Sequence, residues 1–178
     1  ILQGITTVIV GNCGSGAGVP DAGKPQMESI NEPSAVLPDW SGYAEYFEHV
    51  DKTSPALNVA ALIGHHTLRK QAMGGIADRP PTDAEMTDML AYVEEGMQAG
   101  AVGFSTGLVY EPGRYANTEE VAALAGVSGK HGGLYVSHMR DEGTKLLDSV
   151  KETLHIGEVS GCGVQISHHK TVGKDNWG

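Results

Sequence analysis

The chain has 178 residues, of which 40% are hydrophobic and 25 are glycine, and its formal net charge at pH 7 is −10. This composition is ordinary for a folded α/β domain and excludes a disordered tail. An acidic chain without a cluster of Lys and Arg is not expected to bind nucleic acid or an anionic membrane, and its apolar runs are too short to span a bilayer.

Short apolar runs rich in β-branched residues alternate with helical patterns along the chain. The predicted strands are residues 5–10, 58–64, 101–105, 134–137 and 163–167. The first predicted helix is residues 40–50, capped by Asp39, and the second is residues 83–99, which begins at the Thr82–Glu85 capping box. A third is capped by Thr118 and ends at Gly132 and Gly133, and a fourth is residues 145–159. Residues 14–38, and the stretch from the second strand to Thr82, are predicted to be loops.

Strands that are separated by single helices form right-handed βαβ units with a parallel sheet. Two architectures fit this alternation: a piece of a (β/α)₈ barrel, or a doubly wound open sheet. No strand is followed by a GxGxxG or P-loop pattern, which disfavours a nucleotide-binding open sheet.

Polar residues collect directly after each predicted strand. The five pairs are Asn12-Cys13, His65-His66, Ser105-Thr106, Ser137-His138 and Ser167-His168. In a parallel barrel these points share the carboxyl-terminal rim, where barrel enzymes place their active sites. We therefore expect the chemistry of this chain at that rim.

Three of these residues, Cys13, His138 and His168, have the donor types of a zinc site. Zn²⁺ takes Cys sulfur at about 2.3 Å and His nitrogen at about 2.0–2.1 Å, and catalytic sites leave one position open. A buried core cysteine and structural histidines are the alternatives. Equivalent positions at successive strand ends favour the metal, because such positions converge on the barrel axis.

Other histidines and the second cysteine are assigned less directly. One of the pair His65 and His66 is expected to face the pocket, and we take His65 as a substrate contact. His169 has the same ambiguity. Cys162 precedes its strand at the opposite end, so it receives no role and no disulfide is expected.

Five segments of the chain resemble the D-aminoacylase (N-acyl-D-amino-acid deacylase) branch of the amidohydrolases. In order, they are GITTVIVGNCG, NVAALIGHHTLR, AGAVGFSTGLVYEPGRYANTEE, GGLYVSHMRDEG and VQISHHK with the final NWG. The resemblance implies a (β/α)₈ barrel and zinc-dependent hydrolysis of the N-acyl amide of D-amino acids. It places the zinc ligands on Cys13, His138 and His168.

The resemblance also places substrate-handling groups. The pocket tyrosine falls on Tyr110 in STGLVY, where it would hold the substrate or stabilise the oxyanion, and the lysine of HHK falls on Lys170. Lys170 or Arg140 would pair with the substrate carboxylate. Arg140 could instead bridge to Asp141 or Glu142, and Tyr110 could instead cap the core.

Several family features fall outside these residues. The HxH pair of the first strand and the general acid/base aspartate near the last strand have no counterpart here, and GHHT replaces the commoner GHGT at His66. The five strands correspond to the second to sixth of eight. We therefore expect residues 1–178 to be a partial, internal barrel domain, completed by the rest of its own barrel or by an oligomer, with a strand edge exposed near residues 5–10 or 163–168.

A cyclic-amide hydrolase and a non-catalytic zinc-binding barrel piece are the alternative functions. Cysteine in the GNCG loop disfavours the first, and the missing first-strand histidines and aspartate would favour the second in a complete natural protein. A small-molecule N-acyl-D-amino acid is the expected substrate. Because two distant cysteines make a disulfide framework improbable, the reducing cytoplasm is the expected compartment.

Overall fold

A computed structural model describes residues 1–18 and 40–177. The strands are β1 Thr7–Val10, β2 Asn58–Gly64, β3 Gly103–Gly107, β4 Leu134–His138 and β5 Gly163–Ile166. The helices are α1 Tyr43–Thr53, α2 His65–Met73, α3 Asp83–Gln98, α4 Thr118–Lys130 and α5 Leu146–Ser160. Within the described residues, none of these helices has the length and apolar character that a bilayer span requires.

The five strands form one parallel sheet whose spatial order, β1-β2-β3-β4-β5, is also their order in the chain. A doubly wound sheet reverses its strand order at a switch point, so the sequential order selects the barrel-type alternative. β1 and β5 are the two outer strands, and both alternate between exposed and half-buried residues. The described residues therefore form the open arc with exposed edges that the sequence predicts.

Burial is deepest in the middle of the arc. β3 is buried at all five positions, as expected for a parallel strand covered on both faces. Fully buried side chains from strands and helices form a single core, including Tyr43, Ile63, Phe104, Leu124 and Tyr135. Apolar burial of this kind contributes about 25 cal/mol per Å², and it fixes the position of the strand ends at the rim.

The helix starts agree only partly with the sequence prediction. The capping box of α3 is present, since Thr82 Oγ1 accepts a hydrogen bond from Glu85 N and the Glu85 carboxylate accepts one from Thr82 N. The predicted cap Thr118 is wrong by one residue, because the Asn117 side chain accepts from Glu120 N at 2.8 Å. The cap Asp39 lies outside the described residues, and α1 begins after Gly42.

Helix α2 was predicted as a loop, and that prediction is wrong. The helix follows β2 directly, and its first five residues are all buried although three of them are polar and one is charged. A helix that buries polar side chains lacks the apolar periodicity from which a helix is recognised in a sequence. The buried face is polar because α2 carries two internal hydrogen-bonded groups, one around Glu120 and one around His66.

The first buried group joins α2 to α4 through Glu120. Its carboxylate accepts from Arg69 Nη1 at 2.6 and 2.7 Å and from His65 Nε2 at 2.8 Å, and all three side chains are almost fully buried. Burial alone would raise the pKa of Glu120, but the hydrogen bonds from His65 and Arg69 hold it below its usual range. Burial also lowers the pKa of His65. The group is therefore an Arg–Glu ion pair with a neutral histidine.

The second buried group is His66, which is 6% exposed. Its Nε2–H donates to the carbonyl oxygen of Gly107 at 2.9 Å. Because a carbonyl oxygen only accepts, this contact assigns the proton to Nε2. Burial, with a smaller contribution from nearby His65, lowers the pKa of His66 to about 4.

We predict that Glu120→Ala destabilises the chain by about 3–5 kcal/mol, because it leaves the Arg69 guanidinium buried without its counter-charge. Urea unfolding followed by circular dichroism measures the change. Glu119→Ala removes an exposed carboxylate from the same helical turn and should change stability by less than about 0.5 kcal/mol. Equal effects of the two substitutions would contradict the buried ion pair.

We also predict a loss of stability in acid that depends on His66. Its pKa is lowered from 6.5 to about 4 on folding, so the unfolded chain binds the extra proton first. The contribution of neutral His66 to the free energy of unfolding is fully present above pH 6.5 and is lost as the pH falls towards 4. At about 1.4 kcal/mol per pKa unit, the loss amounts to at most about 3 kcal/mol.

Urea unfolding at pH 7.5 and pH 4.5 tests this for the unchanged chain and for His66→Gln, which cannot titrate. The free energy of unfolding should fall less between pH 7.5 and pH 4.5 in His66→Gln than in the unchanged chain. His155→Gln, at an exposed position on α5, is the control and should keep the original difference. If His66→Gln loses as much stability in acid as the unchanged chain, a group other than His66 causes the loss.

Candidate metal centre

The structure brings Cys13, His138 and His168 together. One donor atom from each residue lies within 4.8 Å of the others. Cys13 Sγ is 3.6 Å from His168 Nε2, and the two imidazole rings meet edge to face with centroids 4.1 Å apart. This is a group of one thiol and two imidazoles that can converge on a single ion.

Parallel pairing explains the convergence. Cys13 lies in a short 3-10 turn that directly follows β1, His138 is the last residue of β4, and His168 lies two residues after β5. All three positions are carboxyl ends of strands in one parallel sheet, so they occupy the same edge.

Two of the three residues have an unusual backbone. Cys13 has φ 54° and His168 has φ 35°, and the described residues include one further non-glycine residue with positive φ, Ser54. A left-handed conformation costs a non-glycine residue of order 1–3 kcal/mol and persists where surrounding contacts enforce it. The fold therefore holds Cys13 and His168 in place against their local preference.

Hydrogen bonds to side chains hold the Cys13 turn. Gly14 N–H donates to Ser105 Oγ at 3.2 Å, and the same hydroxyl donates to the carbonyl oxygen of Gly11, so one side chain joins both ends of the turn. Asn12 Oδ1 accepts from Cys13 N at 2.9 Å and from Ser167 Oγ at 3.0 Å. The turn is thus tied to β3 and to the end of β5.

A carboxylate that sequence reasoning missed, Glu142, lies beside the group. Glu142 Oε1 is 3.0 Å from His168 Nδ1 and 3.7 Å from His138 Nε2, and its other oxygen accepts from Lys170 Nζ. Burial would raise the pKa of Glu142, but the hydrogen bond from Lys170 and the neighbouring histidines lower it overall. The available signal was its position four residues after His138 in a rim loop.

Glu142 determines which nitrogen of His168 is free. The carboxylate accepts from Nδ1–H, which leaves the Nε2 lone pair facing Cys13 Sγ. A carboxylate that holds the far nitrogen of a ligating histidine fixes the tautomer and raises the basicity of the ligand nitrogen. Lys170 Nζ lies 3.1 Å from the same Nδ1 and shares the carboxylate.

His138 is ready to act as a ligand. Its Nδ1 is buried without a hydrogen-bond partner among the described residues, and burial is the main cause that lowers its pKa. A neutral imidazole with an unsatisfied nitrogen suits metal ligation. Tyr110 lies against this ring, with centroids 4.8 Å apart, and is 51% exposed at the rim. Its position does not match the alternative in which it caps the core.

The residues fit zinc. A thiolate with two imidazoles is a ligand set that Zn²⁺ accepts and that hard cations such as Mg²⁺ disfavour. The Cys13 thiol has a pKa raised first by burial and then by the charge of Glu142, so binding a metal requires loss of its proton. His168 is the exposed member of the set, which leaves one side open for a further ligand.

Two predicted substrate contacts, Arg140 and His65, are held by carboxylates in the structure. Arg140 directs Nε and Nη2 at the Glu152 carboxylate, at 2.9–3.3 Å, and donates from Nη1 to the Arg114 carbonyl. It therefore forms an ion pair with α5, as the bridging alternative expects, but its partner is Glu152 and not Asp141 or Glu142. His65 is fully buried in the ion-pair group with Glu120, so it faces away from the rim.

Two other predicted contacts lie at the metal-ligand group. Tyr110 contacts His138, and Lys170 contacts Glu142 and His168. Both side chains are about half exposed, at 51% for the residue Tyr110 and 48% for the side chain of Lys170. They can therefore reach a molecule that approaches the three candidate ligands from solvent.

No family model matches the chain. Among characterised proteins it is similar to a D-aminoacylase of Alcaligenes xylosoxydans xylosoxydans, with 39% identity over 100% of this chain and 37% of that protein. It is 42% identical to an N-acyl-D-glutamate deacylase of the same organism, over 99% of this chain and 36% of that protein. The chain therefore spans little more than a third of these relatives.

Solved structures agree with this relationship. The N-acyl-D-glutamate deacylase of Bordetella bronchiseptica, complexed with zinc and a phosphonate mimic of the tetrahedral intermediate, matches with a TM-score of 0.88 and 40% identity over 99% of this chain and 37% of that chain. A D-aminoacylase that defines a novel subset of amidohydrolases matches with a TM-score of 0.86 and 37% identity, with the same coverage. By sequence and by fold over its whole length, the chain belongs to the D-aminoacylase family of amidohydrolases.

Proposed function

We propose that this segment supplies the metal site and two substrate-handling groups of a zinc-dependent hydrolase that cleaves the N-acyl amide of N-acyl-D-amino acids. The convergence of Cys13, His138 and His168 within 4.8 Å carries the proposal. The relatives that it resembles act as deacylases of this substrate class. Because the chain spans about 37% of the relatives, the activity is proposed for a protein that also contains the rest of their length.

A zinc ion in this position supplies Lewis acidity towards the amide carbonyl and towards water. The chain itself supplies the donors: the Cys13 thiolate and two neutral imidazoles, the second oriented by Glu142. Three donors leave the exposed side of the site for water and for the scissile amide, and the half-exposed Tyr110 lies beside that group.

Tyr110 and Lys170 are proposed to handle the substrate. The Tyr110 hydroxyl is a donor at the rim and can hydrogen-bond the oxyanion that develops on the acyl carbonyl. Lys170 has three N–H donors, of which Glu142 accepts one, so it can still bind the carboxylate of the amino acid. The proton-moving aspartate implied by the resemblance lies outside these residues, so no residue here is assigned that role.

A cyclic-amide hydrolase is the less suitable alternative. Such enzymes usually bridge two metals with a modified lysine. In the group of candidate ligands described here, a cysteine, Cys13, stands with two histidines and there is no lysine.

We predict that the chain binds about one equivalent of zinc through Cys13. Cys13→Ala should reduce the bound zinc to a small fraction, because the ligand set falls from three donors to two. Cys162→Ala removes the second thiol, whose Sγ donates to the Ala125 carbonyl away from the site, and should leave zinc binding unchanged.

Metal analysis after gel filtration measures the stoichiometry, and titration against a chromogenic chelator gives the affinity. Circular dichroism confirms that both variants are folded. Equal zinc content in Cys13→Ala and in the unchanged chain would show that the thiol is not a ligand.

We predict that the 178-residue chain alone does not hydrolyse N-acetyl-D-amino acids at a useful rate, whereas the protein extended to the length of its relatives does. A missing general acid/base typically costs 10²–10⁴-fold. A panel of N-acetyl-D-amino acids, with their L-enantiomers as controls, measures both activity and substrate preference. Chelator-sensitive hydrolysis by the 178-residue chain alone would contradict this.

In the extended protein, Tyr110→Phe should lower kcat by about 10²–10³-fold with little change in KM, because the oxyanion contact forms in the transition state. Tyr115→Phe is the matched control. The Tyr115 hydroxyl donates to Glu111 rather than towards the metal ligands, so this variant should retain activity. An active Tyr110→Phe enzyme would remove Tyr110 from the mechanism.

A further inference from the structure

His66 lies where three backbone segments of the site meet. Its ring is enclosed by glycines from each of them: Gly14 in the Cys13 turn, Gly107 at the end of β3, and Gly113 in the turn after Tyr110. A Cβ built on these glycines would come within 2.9 Å, 3.0 Å and 2.5 Å of the imidazole, respectively. Such approach is possible only because all three residues lack a side chain.

The ring also makes a directed bond that connects to Tyr110. His66 Nε2–H donates to the Gly107 carbonyl at 2.9 Å, and the same oxygen accepts from Tyr110 N–H at 3.0 Å. This carbonyl closes the turn that places Tyr110 beside His138. The donor on His66 therefore helps to fix the oxygen on which the Tyr110 turn is built.

The other side of the ring supports the Cys13 turn. Gly14 follows Cys13 directly and packs on the imidazole, while the Cys13 carbonyl lies against Gly107. The start of α2 is joined to the same segment, because Gly16 N–H donates to Thr67 Oγ1 at 3.0 Å. Since α2 continues directly from β2, His66 is fixed to the sheet and can transmit that position to the turn.

We propose that His66 is a positioning residue, which holds the Cys13 turn and the Tyr110 turn in register through its ring and its Nε2–H. The ring is buried among backbone segments of the site, so it acts through Cys13 and Tyr110. The inference rests on the proposed function, because it assigns His66 to the geometry of that metal site.

Cobalt binding to the chain tests the proposal without requiring enzymatic activity. Co²⁺ bound to a thiolate gives a sulfur-to-metal absorption band that reports the Cys13 contact. His66→Ala should weaken Co²⁺ affinity by about 10–100-fold, the usual effect of losing a group that orients a metal ligand, and should alter this band. His66→Gln, whose amide can place a donor near the Nε2 position, should restore most of the affinity and the original band.

His155→Ala is the control for loss of a histidine, because His155 is exposed on α5. A second pair of variants leaves His66 unchanged and adds a methyl group either next to its ring or far from it. In Gly113→Ala the new methyl group meets His66 Nε2, whereas in Gly126→Ala it meets nothing within 4 Å. Gly113→Ala should therefore disturb the band and the affinity, and Gly126→Ala should not.

These experiments distinguish a failure of the metal site from a failure of the positioning role of His66. If the unchanged chain binds no Co²⁺ and shows no thiolate band, the metal site fails, and the role of His66 fails with it. If the unchanged chain binds but a folded His66→Ala has the same affinity and band, the positioning role alone is overturned. Should His66→Ala not fold, a folded Gly113→Ala with unchanged affinity and band overturns it instead.

Discussion

Parallel pairing of neighbouring strands places the carboxyl ends of β1, β4 and β5 on one edge of the sheet, and the three candidate ligands lie at those ends. The residues are up to 155 positions apart in the chain, so local structure could not bring them together. The apolar core beneath them fixes the strand ends. The short segments that follow the strands then set the final positions of the three side chains. The convergence of the three candidate ligands is therefore a consequence of sheet topology, and the loops refine it.

The refinement depends on polar side chains that bind backbone. Ser105 joins both ends of the Cys13 turn, and Asn12 ties that turn to β5. These bonds oppose the cost of a positive φ at Cys13. On the other side, Glu142 orients His168 and shares its charge with Lys170. The candidate ligands are thus held in place by side chains that are not ligands themselves, namely Ser105, Asn12 and Glu142.

The sequence predicted the parts of the fold that leave a periodic or positional signal. Apolar runs located the five strands, and strand-end positions predicted the convergence of Cys13, His138 and His168 that the structure shows. Helix α2 was missed because its buried residues are polar, and the same residues explain the error at His65, which pairs with Glu120 rather than facing the rim. For Arg140 the sequence allowed an ion pair but not its partner, Glu152, which lies on the next helix. Glu142 gave only a weak signal, its position four residues after His138, because a carboxylate in a loop is usually solvated.

X-ray absorption at the zinc edge of the zinc-loaded chain identifies the atoms that bind the metal. A site built from Cys13, His138 and His168 predicts one sulfur at about 2.3 Å and two imidazole nitrogens at about 2.0–2.1 Å, with one lighter atom completing the shell. The sulfur contribution should disappear in Cys13→Ala and persist in Cys162→Ala. A shell of nitrogen and oxygen alone in the unchanged chain would show that the converging thiol does not bind the metal, and would contradict the account.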